Sequence, residues 1–166
     1  MFGQLGIETA KFTRERARLE GDLSLAQLPR LAQQLFDLVG SIGYSVDGYV
    51  TDRGDPALAV RIAGSVNLRC QRCLGRLPLA VKLRRDFVLI RGADEFEPRS
   101  EEDDLVDVIP AAPRLDLQAL LEEEVLLGLP MAPRHAEGEC RAPGAAVTDG
   151  QGREASTFAA LASLKR

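Results

Sequence analysis

The feature that most constrains how this chain folds is a long alternation of apolar and polar residues in its middle. Apolar residues or glycine occupy every second position over 58–68, and small or polar residues such as Arg61 fall between them. The same period returns over 77–83. A period of two indicates strands with one buried face and one solvent face. The sequence therefore predicts an antiparallel hairpin of about 58–69 and 77–90 at the centre of a sheet.

Two amphipathic helices are predicted to pack on this sheet, which makes the fold class α+β with an antiparallel sheet. Leucines spaced by three and four residues predict the first helix over 26–39. The second helix is predicted over 116–128, with Asp116 as its N-cap and Glu122–Glu124 on its solvent side. A short C-terminal helix is predicted over 156–166.

The remaining strand predictions are shorter and leave some choices open. Residues 19–25 are expected to form an edge strand, and 105–109 a strand that returns to the sheet. Residues 44–50 read either as one strand or as a hairpin that turns at Asp47-Gly48. A bulge at Arg85-Asp86 is a further expectation, because the apolar run after it is continuous rather than alternating.

The length of 166 residues fits one domain with tails. Residues 1–18 lack a convincing period and are predicted to be an N-terminal arm, followed by a single domain over 19–141. The Gly/Ala-rich stretch 142–155 is predicted to be a flexible linker, and the acidic, proline-containing stretch 92–104 an exposed loop.

Hydropathy and the first residues predict a cytoplasmic protein. No apolar run approaches the roughly 18 residues of a membrane-spanning helix. The start of the chain also lacks the charged and apolar stretches of a signal peptide. We therefore expect no membrane association.

The three cysteines and the single histidine fall into two close pairs. Cys70 and Cys73 lie in the turn of the predicted hairpin, and His135 precedes Cys140 by five residues. In a reducing compartment such cysteines favour metal binding over disulfides. Four such ligands complete a tetrahedral structural zinc site. The long gap between the pairs leaves open the alternative of free thiols and an unrelated histidine.

Catalytic motifs are missing from the sequence. A single histidine without a nucleophile elbow makes hydrolytic catalysis improbable, and no phosphate-cradling glycine loop is present. We expect no enzymatic activity and no small-molecule substrate.

Charge is segregated along the chain. Eight basic residues and one acid lie within 61–91, whereas twelve acids and two arginines lie within 94–124. The first segment predicts a surface for a polyanion, unless the second segment neutralises it. With Phe87 as its one aromatic residue, the basic segment favours contact with an RNA backbone over base stacking. The predicted RNA-binding residues are Arg61, Arg69, Arg72, Arg76, Lys82 and Arg84.

Several motifs in a fixed order resemble the YceD family of bacterial and plastid proteins. They are Cys-Gln-Arg-Cys-Leu from Cys70, the run from Leu115 through Glu-Glu-Glu-Val-Leu-Leu-Gly-Leu-Pro to His135, Cys140, and the terminal Phe-Ala-Ala-Leu-Ala-Ser-Leu-Lys. The resemblance covers about residues 15 to 166. It implies a non-enzymatic role in ribosome biogenesis, the accumulation of large-subunit (23S) ribosomal RNA. It also places the family's cysteine motif on Cys70 and Cys73, and its later ligands on His135 and Cys140.

The expected partner is large-subunit ribosomal RNA or an early large-subunit protein. One alternative is a protein–protein adaptor that engages a basic partner through the acidic segment. Another is a thiol redox protein built on Cys70 and Cys73, although strands rather than a helix flank this motif.

Overall fold

The computed structural model of the chain describes residues 5–90 and 107–140. The elements are β1 (Gly6–Glu8), α1 (Thr9–Arg14), β2 (Arg18–Ser24), a 3-10 turn (Leu25–Gln27), α2 (Pro29–Ala32), β3 (Ser41–Val50), β4 (Pro56–Arg69), β5 (Arg76–Ile90), β6 (Asp107–Pro110), β7 (Arg114–Asp116) and α3 (Leu117–Gly128). Five strands form one sheet in the order β2-β3-β4-β5-β6, and β1 pairs with β7 in a second, two-stranded sheet. The predicted α+β class is confirmed.

The hairpin of β4 and β5 is the centre of the larger sheet, as predicted. Its antiparallel register runs without interruption from the pair Ala57 and Val88 to the pair Arg69 and Arg76. The bulge expected at Arg85-Asp86 is therefore wrong. Phe87 and Leu89 keep the buried phase of the earlier alternation, and Val88 between them is half-buried on the other face, at the edge where β6 pairs with β5.

Strand β3 passes straight through Asp47-Gly48, so the alternative of a turn at this dipeptide is wrong. Gly48 is needed for a different reason. A Cβ atom there would lie 2.6 Å from the carbonyl oxygen of Phe12, so only glycine allows α1 to approach the strand. The chain turns between β3 and β4 instead, where Gly54 has a φ of +89°.

The two edge strands of the sheet pair with their neighbours in different orientations, one antiparallel and one parallel. β2 pairs antiparallel with β3 and confirms the edge strand expected over 19–25. At the opposite edge, β6 confirms the described part of the strand expected over 105–109. It pairs parallel with β5, so the sheet is mixed rather than wholly antiparallel.

The long first helix predicted over 26–39 is wrong. Leu28 has φ −112° and ψ +81°, because the proline that follows it disfavours a helical backbone at this position. Within this range only α2 is α-helical, and the chain then forms a β-bridge between Leu35 and Leu68. The leucines are nonetheless buried in the core, since Leu25, Leu28 and Leu31 are at most 1% exposed.

The described residues before β2 form β1 and α1, where the sequence predicted no regular element. Hydrophobic periodicity does not reveal α1, because the residues that this helix buries are two threonines and not leucines. The hydroxyl of Thr9 donates to the carbonyl oxygen of Ala112 (2.6 Å), and that of Thr13 to the carbonyl oxygen of Thr9 (3.0 Å). The predicted loop 92–104, linker 142–155 and C-terminal helix 156–166 lie outside the described residues, and the domain division stays a prediction.

Helix α3 confirms the second predicted helix, and its N-cap is Asp116, whose carboxylate accepts from the backbone N–H of Ala119 (3.1 Å). Leu117, Leu121 and Val125 are at most 2% exposed and pack against the sheet. At twelve residues, α3 is the longest helix in the described part of the chain. None of the helices described there is long and apolar enough to cross a membrane.

The expectation that Glu122–Glu124 all face solvent is wrong, because Glu122 and Glu124 are buried. One carboxylate oxygen of Glu122 accepts hydrogen bonds from the backbone N–H groups of Arg30 (2.7 Å) and Leu31 (2.9 Å). These N–H groups belong to the first turn of α2 and have no acceptor within that helix. Glu122 therefore caps the N-terminus of α2 from a distant part of the chain.

Glu124 is buried for a different purpose. Its carboxylate accepts from Arg85 Nε at 3.2 Å, and Arg85 is the one polar residue of β5 in the inward-facing phase. Burial raises the pKa of the Glu124 carboxyl, and the positive charge of Arg85 opposes that rise.

We expect Glu122→Ala to lower the free energy of unfolding by about 2 kcal/mol, because two buried backbone donors lose a charged acceptor. Urea denaturation measures the change. The matched control is Glu123→Ala, whose side chain is 55% exposed, and whose loss should cost less than about 0.5 kcal/mol. Equal losses in the two variants would contradict the capping role.

Candidate metal centre

The hairpin turn that carries Cys70 and Cys73 is closed by its own backbone. The N–H of Cys70 donates to the carbonyl oxygen of Gly75, and the N–H of Leu74 to the carbonyl oxygen of Cys70, both at 2.9 Å. Leu74 adopts a φ of +59°, a left-handed conformation that reverses the chain after the second cysteine. Both cysteines are buried within this turn.

The segment that follows α3 returns to this turn, which explains how ligands far apart in sequence meet. Gly128, at the end of α3, lies against Leu83 of β5, with 3.0 Å between its ideal Cβ position and the leucine Cδ2. Beyond it, the N–H of Gln71 donates to the carbonyl oxygen of Pro133 at 2.8 Å. Arg72 Nη2 donates to the carbonyl oxygen of Ala136 at 3.1 Å.

The hairpin tip, residues 69–76, is where the two pairs meet: Cys70 and Cys73 with His135 and Cys140. Their four possible ligand atoms lie within 4.8 Å of one another. The Sγ atoms of Cys70 and Cys140 are 3.7 Å apart, and His135 Nδ1 lies 3.4 Å from Cys73 Sγ and 3.7 Å from Cys140 Sγ. With metal–ligand bonds of about 2.3 Å to sulfur and 2.0 Å to nitrogen, a tetrahedron gives sulfur–sulfur and sulfur–nitrogen separations of about 3.8 and 3.5 Å. The cluster can therefore hold a metal ion.

The histidine is oriented for this task by the hairpin itself. His135 Nε2 lies 2.9 Å from the carbonyl oxygen of Arg76, which can only accept, so Nε2 carries the proton. In the neutral ring Nδ1 then has the free lone pair that a metal would take, and it is the atom directed at the sulfurs. In the protonated ring the same atom donates to those sulfurs. A backbone carbonyl that fixes the far nitrogen in this way is the usual support for a metal-bound imidazole.

The surroundings of two of the three thiols lower their pKa, which favours the thiolate, the form that binds metal. Burial raises the pKa of the Cys70 thiol, but the N–H groups of Cys73, His135 and Arg72 outweigh it and lower the pKa to about 5. Burial also opposes ionisation of Cys140, whereas hydrogen bonds from Arg72 and His135 lower its pKa. Arg72 Nε donates to Cys140 Sγ at 2.9 Å.

The third thiol shows the repulsion that a cation would relieve. An N–H bond from Gly75 lowers the pKa of Cys73, but burial and the negative charge on Cys140 and Cys70 raise it overall. The same sulfurs, as acceptors, raise the pKa of His135. A positive ion among three sulfurs and an imidazole this close together would relieve that repulsion, and the four residues could hold one.

The six predicted RNA-binding residues divide between the tip and the two strands of the hairpin. Arg61, Lys82 and Arg84 project from the face of the sheet opposite the packed helices. There they line an open trough of about 870 Å³ whose far side carries Glu20 and Asp22.

Most of these cations have partners, and within the described residues the carboxylate partners are aspartates of the sheet and its loops. Lys82 and Arg69 have no carboxylate partner among the described residues. The ion pairs are Arg61 Nη1 to Asp47 Oδ2 (2.7 Å), Arg76 Nε to Asp37 Oδ2 (3.0 Å) and Arg84 Nε to Asp86 Oδ2 (3.8 Å).

Sequence reasoning misses two features of the tip. Arg72, predicted as an RNA contact, is engaged by Cys140 and Ala136, which no spacing rule indicates. Phe36 falls within the helix predicted over 26–39, yet its ring lies under the guanidinium of Arg69, 5.4 Å from that group to the ring centroid. No local signal reveals this contact, because it joins positions 33 residues apart in sequence.

We expect Leu74→Gly to raise the free energy of unfolding by about 0.5 kcal/mol, because relief of the left-handed strain exceeds the added chain entropy of glycine. The leucine side chain is 57% exposed, so little packing is lost. The control is Leu127→Gly, an exposed residue with ordinary helical geometry in α3, which should lower stability by about 1 kcal/mol. Destabilisation by both changes would contradict the strain at Leu74.

Comparison with known proteins identifies the family. The profile described as "Large ribosomal RNA subunit accumulation protein YceD" matches residues 58–165, which is more than half of the chain and includes all four residues of the cluster. A Haemophilus influenzae protein of the same description is 23% identical over 167 residues, covering 98% of this chain and 95% of that protein. No solved structure matches the chain. The resemblance of its motifs is thereby confirmed, and the chain belongs to the YceD family.

Proposed function

We propose that this protein supports the accumulation of large-subunit ribosomal RNA as a non-enzymatic factor that binds that RNA. The name of the Haemophilus influenzae relative, aligned over nearly the whole chain, supports the role in accumulation. The observation that carries the binding is the face of the β4–β5 hairpin on which none of the described helices packs. Arg61 and Arg84 are directly opposite in register there, and Lys82 is the next residue along β5 on the same face.

The chemistry of this face suits a phosphate backbone. Guanidinium and ammonium groups on a strand donate to phosphate oxygens without reading sequence. Lys82 and the exposed, loosely paired Arg84 are the cations most available to a visitor, because Arg61 is held by Asp47. Arg72 and Arg76 contribute less than the sequence suggested, since their side chains are engaged within the protein.

We further propose that the Cys3His cluster holds zinc in a structural role. Three thiolates and one imidazole form a donor set that zinc prefers, and four protein ligands leave no open position for a substrate. The ion would join the segment 133–140 to the hairpin tip, and so keep the tip rigid beside the basic face.

The zinc proposal predicts one zinc per chain, measured by elemental mass spectrometry of the purified protein. Cys140→Ser should lower the zinc content at least tenfold and reduce the melting temperature. Glu137→Gln, an exposed neighbour outside the cluster, should leave both unchanged. Absence of metal from the unaltered protein, or a full zinc content in Cys140→Ser, would contradict the proposed zinc site.

The RNA proposal predicts that Lys82→Glu combined with Arg84→Glu weakens binding to large-subunit ribosomal RNA fragments by at least tenfold. Fluorescence anisotropy at fixed salt measures the affinity. In a salt titration, the slope of the logarithm of the binding constant against the logarithm of the salt concentration should become shallower by roughly 0.7–0.9 for each phosphate that the protein no longer neutralises. The control is Lys11→Glu with Arg14→Glu, which makes the same change of charge on α1. Equal weakening by both pairs would indicate only net charge, and no weakening would exclude this face.

The two alternatives have less support. The redox alternative requires an accessible thiol, yet Cys70 and Cys73 are buried and two further ligands adjoin them. The adaptor alternative relies on the acidic segment, but Glu122 and Glu124 of that segment serve contacts inside the protein. A partner protein that co-purifies after nuclease treatment would restore the adaptor.

A further inference from the structure

The contact between Phe36 and Arg69 at the hairpin tip has no role in the core or in the metal centre. The chain leaves α2, forms the bridge between Leu35 and Leu68, and donates the N–H of Phe36 to the carbonyl oxygen of Asn67 at 2.7 Å. This pairing turns Leu35 into the core and Phe36 outward. The phenylalanine ring is 38% exposed, although it is one of the largest apolar side chains of the protein.

Arg69 lies over this ring rather than beside a carboxylate. The arginine directly opposite in register, Arg76, is paired with Asp37, whereas Arg69 has no carboxylate partner among the described residues. Arg69 is exposed and its guanidinium carbon lies over the ring, 5.4 Å from the centroid, so N–H donors of the group remain open to solvent. The pair therefore places a cation beside an exposed aromatic ring.

We propose that Phe36 and Arg69 form a stacking site for an unpaired RNA base, which rests on and refines the proposed RNA binding. A base would extend the stack on the guanidinium or on the exposed part of the ring. The in-plane N–H groups of Arg69 would then donate to the base edge or the adjoining phosphate.

Charge favours RNA over a protein as the occupant. An apolar protein surface placed here would desolvate the uncompensated Arg69 without offering a counter-charge, whereas a nucleotide brings both a ring and an anion. The structure thus supplies the aromatic platform that the sequence lacked in its basic segment. The expected ligand shifts from a duplex backbone to a loop or single strand of RNA.

The test compares a short single-stranded RNA with a duplex of the same sequence by fluorescence anisotropy. Phe36→Ala and Arg69→Gln should each weaken the single strand about tenfold, within the range that one stacked base contributes. Both should change duplex affinity less than twofold. Matched controls are Leu127→Ala, which removes an exposed apolar side chain from α3, and Arg30→Gln, which removes an exposed arginine from α2.

A second readout guards against misfolding. Phe36→Leu keeps apolar volume but lacks the aromatic face, so it should lose single-strand affinity like Phe36→Ala while retaining zinc content and melting temperature. In the unaltered protein, 2-aminopurine placed in the single strand should lose fluorescence on stacking, and this loss should vanish in Phe36→Leu.

The outcomes separate this inference from the function on which it rests. If the unaltered protein binds neither RNA, both fail. If it binds the single strand and Phe36→Leu binds equally well, the stacking site is wrong and the RNA function stands. If Phe36→Leu keeps RNA affinity but loses a protein partner that survives nuclease treatment, the surface is a protein contact and the inference is overturned.

Discussion

The uninterrupted pairing of β4 with β5 is the interaction on which the rest of the structure depends. A continuous register over 57–69 and 76–88 gives every side chain of the hairpin a defined face. The inward phase carries the apolar residues that receive the helices, and the outward phase carries Arg61, Lys82 and Arg84. A slip of one residue would exchange the two faces, so the core and the cationic surface are specified together.

The hairpin is joined to distant parts of the chain by buried polar contacts as well as by leucine packing. Glu122 caps α2 from α3, and Glu124 holds Arg85 on the inner face of β5. Such carboxylates are costly to bury unless each lone pair finds a donor. Both carboxylates do accept hydrogen bonds, and these bonds hold α3 against the sheet and against the leucine-rich segment 25–31. Its end then delivers the segment 133–140 to the tip.

At the hairpin tip, the cysteine–histidine cluster and the surface charge meet at Arg72. Its guanidinium donates to Cys140 and Ala136, so its hydrogen bonds are made within the protein. Arg69 instead lies over the ring of Phe36. Within one short basic stretch, the neighbours therefore decide which arginine is engaged by the protein and which has no carboxylate partner among the described residues.

Much of the framework follows from local pattern. Strict alternation predicts the hairpin, and Asp116 with the leucine spacing predicts α3, since both signals depend on residues close in sequence. The count of soft ligands likewise singles out the four candidate metal-binding residues. Local pattern fails where long-range contacts override it. The leucines of 25–31 are buried without a long helix, and two of the three glutamates of α3 are internal.

The sequence by itself determined the two-faced hairpin and singled out the four candidate metal-binding residues, because side-chain period and donor chemistry are local properties. That the two pairs meet was decided by the tertiary structure. Only the tertiary structure decided the parallel pairing of β6 and the partner of each arginine. It alone also brought Phe36 to the tip, since these depend on where the chain returns in space. Residues 33 positions apart in sequence share one stack because a β-bridge places them side by side, and no periodicity encodes that meeting.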